Sequence, residues 1–103
     1  MLPPALDASL AHALMDVLDP ELGINIVDLG LVYEATLDGA LARVRMAMTS
    51  PTCPLGDVIA RDVEAAIRRS HPQVTEVDVQ IVDEPAWTPE RMSANARDAL
   101  GWT

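Results

Sequence analysis

The chain has 103 residues, half of them hydrophobic, and a net charge of −9. That length fits one domain, residues 1–103, able to bury a core without staples, and so acidic a surface repels phosphate backbones and anionic membranes, which argues against nucleic-acid and membrane partners. A single cysteine excludes an intrachain disulfide and suits a reducing compartment; with no basic, apolar leader and no apolar run near about 18 residues, a cytoplasmic protein is expected.

Only Tyr33, Trp87 and Trp102 are aromatic, so the core must come from Ala, Val, Leu, Ile and Met. In DASLAHALMDVLD, Leu6, Leu10, Leu14 and Val17 recur at spacings of four and three, with Ala13 and Leu18 beside them. This predicts an amphipathic helix that starts near Asp7, a natural N-cap, and runs until Pro20 stops it. PELGINIVDLG is apolar but irregular and reads as an ordered loop.

LVYEATL then alternates as a strand, with Leu31, Tyr33, Ala35 and Leu37 on one face and Val32, Glu34 and Thr36 on the other. Asp38-Gly39 predicts a hairpin turn into LARVRMAM, whose Ala42, Val44, Met46 and Met48 share a face opposite Arg43 and Arg45. LGDVIARDVEAAIRRS predicts a second helix with a stripe of Leu55, Val58, Ile59, Val63, Ala66 and Ile67, ended by His71-Pro72. VTEVDVQIV predicts a third strand with Val77, Val79 and Ile81 inward. A last helix is expected from Thr88 as N-cap, with Pro89 first and Glu90 at the positive end, to Gly101. The order α-β-β-α-β-α gives an α+β fold: a hairpin, a possible right-handed parallel crossover from strand 2 to strand 3, and helices packed on a small mixed three-stranded sheet.

Cys53 stands in TSPTCP, before a favoured first helical residue, Pro54. At an N-cap its sulfur would lie beside free amides and the positive helix end, which favour the thiolate. A buried, inert thiol is the competing reading. A hydrolase would need a base beside it. His71 closes the helix that Cys53 opens, roughly 25 Å away at the helical rise, so it is a poor base; His12 stays open. No CxxC, HExxH or Gly-rich phosphate loop is present. Asp19-Pro20-Glu21 and Asp28 flank the apolar loop. A thiolate with one or two such carboxylates can bind a metal if a partner completes the set, whereas on spacing alone Asp19 caps a turn and Glu21 is solvated. Trp87 precedes a capped helix and suits a packing or staple role.

Taken together, DPELGINIVDLGLVY, MTSPTCP and EPAWTPERMS resemble, in order and spacing, the SufT/PaaD-like metal-sulfur cluster assembly domain. That domain also forms a eukaryotic cytosolic factor that hands iron-sulfur clusters to target proteins. The resemblance spans about Asp7 to Gly101 and implies an α+β fold and a role in cluster assembly or delivery. Its motifs map onto Asp19, Pro20 and Glu21, onto Asp28, Leu29 and Gly30, onto Thr49, Cys53 and Pro54, and onto Trp87, Pro89 and Ser93. Cys53 corresponds to the family's reactive cysteine. PaaD resembles this domain followed by a cysteine-rich tail; the sequence ends at Thr103 without one, which favours a stand-alone SufT-like role.

The leading expectation is therefore an accessory factor, not an enzyme, in which Cys53, with Asp28 and Glu21, holds iron or an iron-sulfur cluster transiently, or contacts a client. No tightly bound cofactor is expected. The partners implied are iron-sulfur assembly proteins and client apo-proteins. One thiol cannot fill a cluster's usual four cysteine positions, so a homodimer or a partner would supply the rest. A metal-free adaptor contacting partners through residues 19 to 30 and Trp87, and a thiol enzyme, are the alternatives.

Overall fold

The structure, a computed structural model, describes residues 6–20, 22–48, 56–82, 84 and 86–101. Asp7 caps the first helix, α1 (Ala8–Leu14), as expected: its Oδ1 accepts the amides of Ser9 and Leu10 at 2.9 and 3.1 Å. The helix is shorter than its apolar stripe. It ends at Leu14 because the next amides tighten to i−3 bonds, Asp16 N–H to Ala13 O and Val17 N–H to Leu14 O. Val17, Leu18 and Asp19 then pair with the segment that follows: Ile26 N–H donates to Val17 O, Leu18 bridges Asn25, and Asp19 N–H donates to Ile24 O. This long-range pairing competes successfully with a further helical turn that Pro20 would have cut off anyway.

The sheet has the order β1-β2-β3. Strand β1 (Val32–Asp38) runs antiparallel to β2 (Leu41–Met46), and β2 runs parallel to β3 (Glu76–Ile81). The two-residue connection of the hairpin is Gly39-Ala40, one residue later than the Asp38-Gly39 signal suggests. Strand β1 departs from simple alternation. Val32 opposes Met46 and Glu34 opposes Arg45, so Tyr33 is the extra residue of a bulge. The bulge resets the pleat, and Val32 joins Ala35 in the core although alternation assigns them opposite faces. Tyr33 is left half-buried under the Arg91 guanidinium, 4.5 Å from the ring centre.

Helix α2 (Gly56–Ser70) crosses from the end of β2 to the start of β3 and buries Ile59, Val63, Ala66 and Ile67. These join Leu10, Leu14, Ile26, Leu29, Leu31, Val44 and Met46 in the core. Val58 is exposed, contrary to the stripe read from the sequence. It sits about 100° round the helix from Ile59, away from the buried line. Ile81 is also exposed although it lies on the inward face of β3. The residue opposite it is Gly56, whose Cβ position lies 3.3 Å from Ile81 Cδ1, so no helical side chain covers it.

The C-terminal helix divides in two. Pro89–Arg91 form a single 3₁₀ turn after Thr88, and α3 (Ala94–Leu100) starts afresh from Ser93, whose Oγ accepts the Ala96 amide at 3.1 Å. Between them Met92 is extended and buried. Gly101 ends α3 in the left-handed conformation, as expected.

At the end of the sheet where α2 finishes, His71 links α1 to α2. It is buried, with Nε2 3.0 Å from Ser9 Oγ and Nδ1 2.7 Å from Ser70 Oγ. Ser9 Oγ has one hydrogen, and its 2.5 Å bond to Asp7 Oδ1 uses it, so His71 Nε2 donates to Ser9. The Ser9 hydroxyl, the Leu10 and Ser9 amides and the nearby His71 hold the Asp7 carboxyl below its ordinary 3.8. A depressed carboxylate stabilises the fold above its unfolded value and loses that contribution as the pH falls through the folded one. Asp7→Ala should therefore lower the unfolding free energy by about 1 kcal/mol at neutral pH, the usual worth of a cap. In urea titrations the gap between wild type and variant should narrow as the pH falls below 3.8. A gap that stays constant to pH 2 (about two units below the unfolded value) would show that the Asp7 charge contributes nothing.

Candidate functional site

Residues 19 to 31 fold as two consecutive turns. In the first, Asp19 accepts the Gly23 amide with its carbonyl at 2.8 Å and the Leu22 amide with Oδ1 at 3.2 Å. Asp19 is buried, so its carboxylate is a turn-closing group, as the plainer sequence reading has it. In the second, Asn25 and Asp28 cap each other: Asp28 N–H donates to Asn25 Oδ1 and Asn25 Nδ2 donates to Asp28 Oδ2, both at 2.8 Å. The Asn25 side chain closes the turn onto the Asp28 backbone amide, and the Asp28 carboxylate holds that side chain in place. It fixes the Asp28 side chain at the surface of a turn whose Ile26 and Leu29 are fully buried. Asn25 was not singled out in the sequence, although its spacing of three from Asp28 is the signal that would have found it.

A second segment straps onto this turn. Trp87 Nε1 donates to Leu29 O at 2.7 Å, and Ser93 N–H donates to Asp28 O at 2.7 Å. The strap fits because residue 30 is glycine. Its φ is +75°, and a Cβ there would fall on the Arg91 carbonyl. Within the strap, the Glu90 carboxyl is held below the ordinary value by its own amide and by the Thr88 hydroxyl, while Arg91 N–H closes the turn onto Thr88 O. Two sequence motifs far apart in the chain, Asp28-Leu29-Gly30 and Trp87-Pro89-Ser93, thus form one unit.

The topology places this unit at the same end of the sheet as the residues flanking the cysteine segment. Ala47 N–H donates to Leu31 O, which ties the end of β2 to the residue that closes the Asp28 loop. Met48 and Gly56, the described residues on either side of TSPTCPL, meet at the same end: Met48 Sδ lies 4.0 Å from the Cβ position of Gly56. The carboxyl ends of the parallel strands β2 and β3, the Asp28 turn, the strap and both ends of the cysteine segment therefore share one end of the sheet.

Among the predicted site residues, Thr49, Cys53, Pro54 and Glu21 lie outside the described residues, and with them the proposed N-cap position of the thiol. Asp19, Pro20, Asp28, Trp87, Pro89 and Ser93 are described, with Pro20 and Pro89 exposed. Among the described residues no three His, Cys, Asp or Glu side chains are grouped to hold a metal. His12 is exposed on α1, and no helix of the described residues is long and apolar enough to cross a membrane.

Comparison with known proteins decides the family. Residues 7–79 match the pattern of the iron-sulfur cluster assembly protein family. The chain belongs to that family. Among its relatives this family member is 43% identical over 98 residues to the Fe-S protein maturation auxiliary factor YitW of Bacillus subtilis, covering 94% of this chain and 95% of YitW. It is 43% identical over 86 residues to the Fe-S protein maturation auxiliary factor SufT of Staphylococcus aureus, covering 82% and 97%. A crystal structure of a DUF59 domain, of unknown function, from Bacillus anthracis superposes with a TM-score of 0.87 at 44% identity, covering 91% of this chain and 90% of that one. The α+β fold expected from the sequence is the fold of this solved relative.

The strap makes a sharp structural demand on Gly30. Gly30→Ala combines a left-handed backbone with a collision against the Arg91 carbonyl and should cost about 2 kcal/mol or more. In a Trp102→Phe background, the Trp87 emission should shift to the red and solvent quenching should rise as the indole leaves Leu29. Unchanged emission and stability would show that the strap does not depend on this close approach.

Proposed function

We propose that this protein is an auxiliary factor in the assembly of iron-sulfur clusters or their delivery to client proteins, acting in the cytoplasm and without enzymatic chemistry of its own. The observation that carries this reading is the convergence at one end of the sheet of the Asp28 turn, the Trp87 strap and both ends of the segment holding the only cysteine. Relatives that span nearly the same length bear the name of Fe-S protein maturation auxiliary factors.

In this proposal the iron or cluster is cargo. Cys53 supplies the one soft ligand, and a thiolate is the form that binds it. Asp28 adds a carboxylate oriented by Asn25, and Glu21 a second. One thiolate and two carboxylates leave a cluster's preferred thiolate set incomplete. Completion falls to a second copy of the chain or to the client's own cysteines, which makes release to the client a ligand exchange rather than a dissociation. The exposed acidic surface would favour docking of basic client surfaces.

The test is anaerobic reconstitution with iron and sulfide, followed by visible absorption, on wild type and Cys53→Ala side by side. Charge-transfer bands are expected in wild type and absent in the variant. Asp28→Asn should keep the bands and bleach faster under a chelator. Bands of equal strength in both wild type and Cys53→Ala, or in neither, would remove the carrier role; a variant that still supported client maturation would point to a metal-free adaptor.

A further inference from the structure

The two edges of the sheet are not equivalent. The outer edge of β1 is occupied, since Leu6 bridges Ala35 and Asp7 N–H donates to Ala35 O at 2.8 Å. The outer edge of β3 has no main-chain partner among the described residues. Its polarity follows from the register. Glu76 N–H donates to Ala40 O and Val82 N–H to Met46 O, so even-numbered residues of β3 direct their amides at β2. The amides and carbonyls of Val77, Val79 and Ile81 therefore point outward.

The side chains along this edge are also incomplete. On the helix side Val77 and Val79 are half-buried and Ile81 is exposed. Val77 and Val79 border a groove of about 430 Å³ between β3 and α2, with Ala60 in its wall and a charged lining in which Asp57 and Glu64 outnumber Arg61. On the other face two of the three cross-strand rows end on anions, and the third, Glu34 with Arg45, ends on the neutral Gln80. Leu41 pairs with Glu76, and Thr36, Arg43 and Asp78 form a row that stops at the Asp78 carboxylate. A next strand would extend these rows with cations on that face and apolar side chains on the groove side.

We infer that the outer edge of β3 takes an extended segment of a partner protein as a fourth strand, one that alternates apolar with basic residues. Main-chain bonds to Val77, Val79 and Ile81 supply the affinity, and the groove and the Glu76 and Asp78 carboxylates supply the selection. The occupant is not a second copy. Pairing β3 with itself would bring two Glu76 and two Asp78 side chains onto one face, between molecules each carrying −9. The same carboxylates guard the edge against such pairing. This inference is independent of whether Cys53 binds a cluster.

The experiment uses a short capped peptide alternating valine and arginine, added to the isotope-labelled protein. Amide exchange at Val77, Val79 and Ile81 should slow by about tenfold or more on binding. A peptide N-methylated at alternate residues should give no protection, and a valine-glutamate peptide should give none. Glu76→Gln with Asp78→Asn should weaken binding about tenfold while leaving the fold intact, as checked by unchanged spectra elsewhere. The inference fails if the peptide gives no protection at millimolar concentration, if the N-methylated or glutamate peptide binds equally, or if protection falls on another surface. Protection of the same amides that rises with protein concentration alone would assign the edge to a second copy and overturn it too.

Discussion

The parallel pairing of β2 with β3 governs the rest of the molecule. Two parallel neighbours cannot be joined by a hairpin, so the chain must return along the whole length of the sheet before β3 can begin. Helix α2 makes that return. Its 15 residues span about 22 Å, and a six-residue strand spans about 20 Å, so helix and strands match in length. Because the helix lies flat on the sheet, one side of it supplies Ile59, Val63 and Ile67 to the core. Because it must start where β2 ends, Met48 and Gly56, which flank the segment carrying Cys53, meet at the carboxyl ends of the parallel pair.

The two ends of the sheet are held in different ways. At the far end, a chain of side-chain bonds runs from Asp7 through Ser9 and His71 to Ser70, tying the entry of α1 to the exit of α2. It links the start of α1 to the end of α2 through side chains alone. At the near end, irregular backbone has to be satisfied instead. Leu29 O and Asp28 O project from a turn whose side chains fill the core, and a carbonyl left without a donor there would cost about 1–3 kcal/mol. Trp87 and Ser93 supply those donors. Among the described residues no buried side-chain nitrogen or oxygen lacks a partner.

This division separates the contacts that hold the Asp28 turn from the carboxylate that the turn presents. The strap keeps the Asp28 turn rigid by contacts from behind, through an indole and a backbone amide, and leaves the Asp28 carboxylate in an intermediate environment at the surface. The stabilising contacts and the group proposed for cargo are thus different atoms of Asp28, whose carbonyl accepts from Ser93 while its carboxylate is the candidate ligand; Leu29 is wholly structural, with its amide, carbonyl and buried side chain all engaged.

Periodicity alone was enough to place the strands, the long helix and the caps at Asp7 and Gly101, because each depends on neighbours within a few residues. The family was legible for a different reason: three short motifs kept their order and spacing. What periodicity missed shares one cause, competition from distant parts of the chain. Helix α1 stops at Leu14 because Val17 and Asp19 pair with Ile26 and Ile24, and the last helix breaks at Met92 because the core takes that side chain and Asp28 takes the next amide. The bulge at Tyr33 and the exposure of Val58 and Ile81 likewise depend on which surface each element meets. By itself the sequence determined which residue types could do chemistry, Cys53 with Asp28 and Glu21. The tertiary structure alone decided that the turn Asp19 closes is buried, that Trp87 and Ser93 hold the Asp28 loop, and that the outer edge of β3 has no main-chain partner among the described residues, since each depends on which distant groups packing brings together.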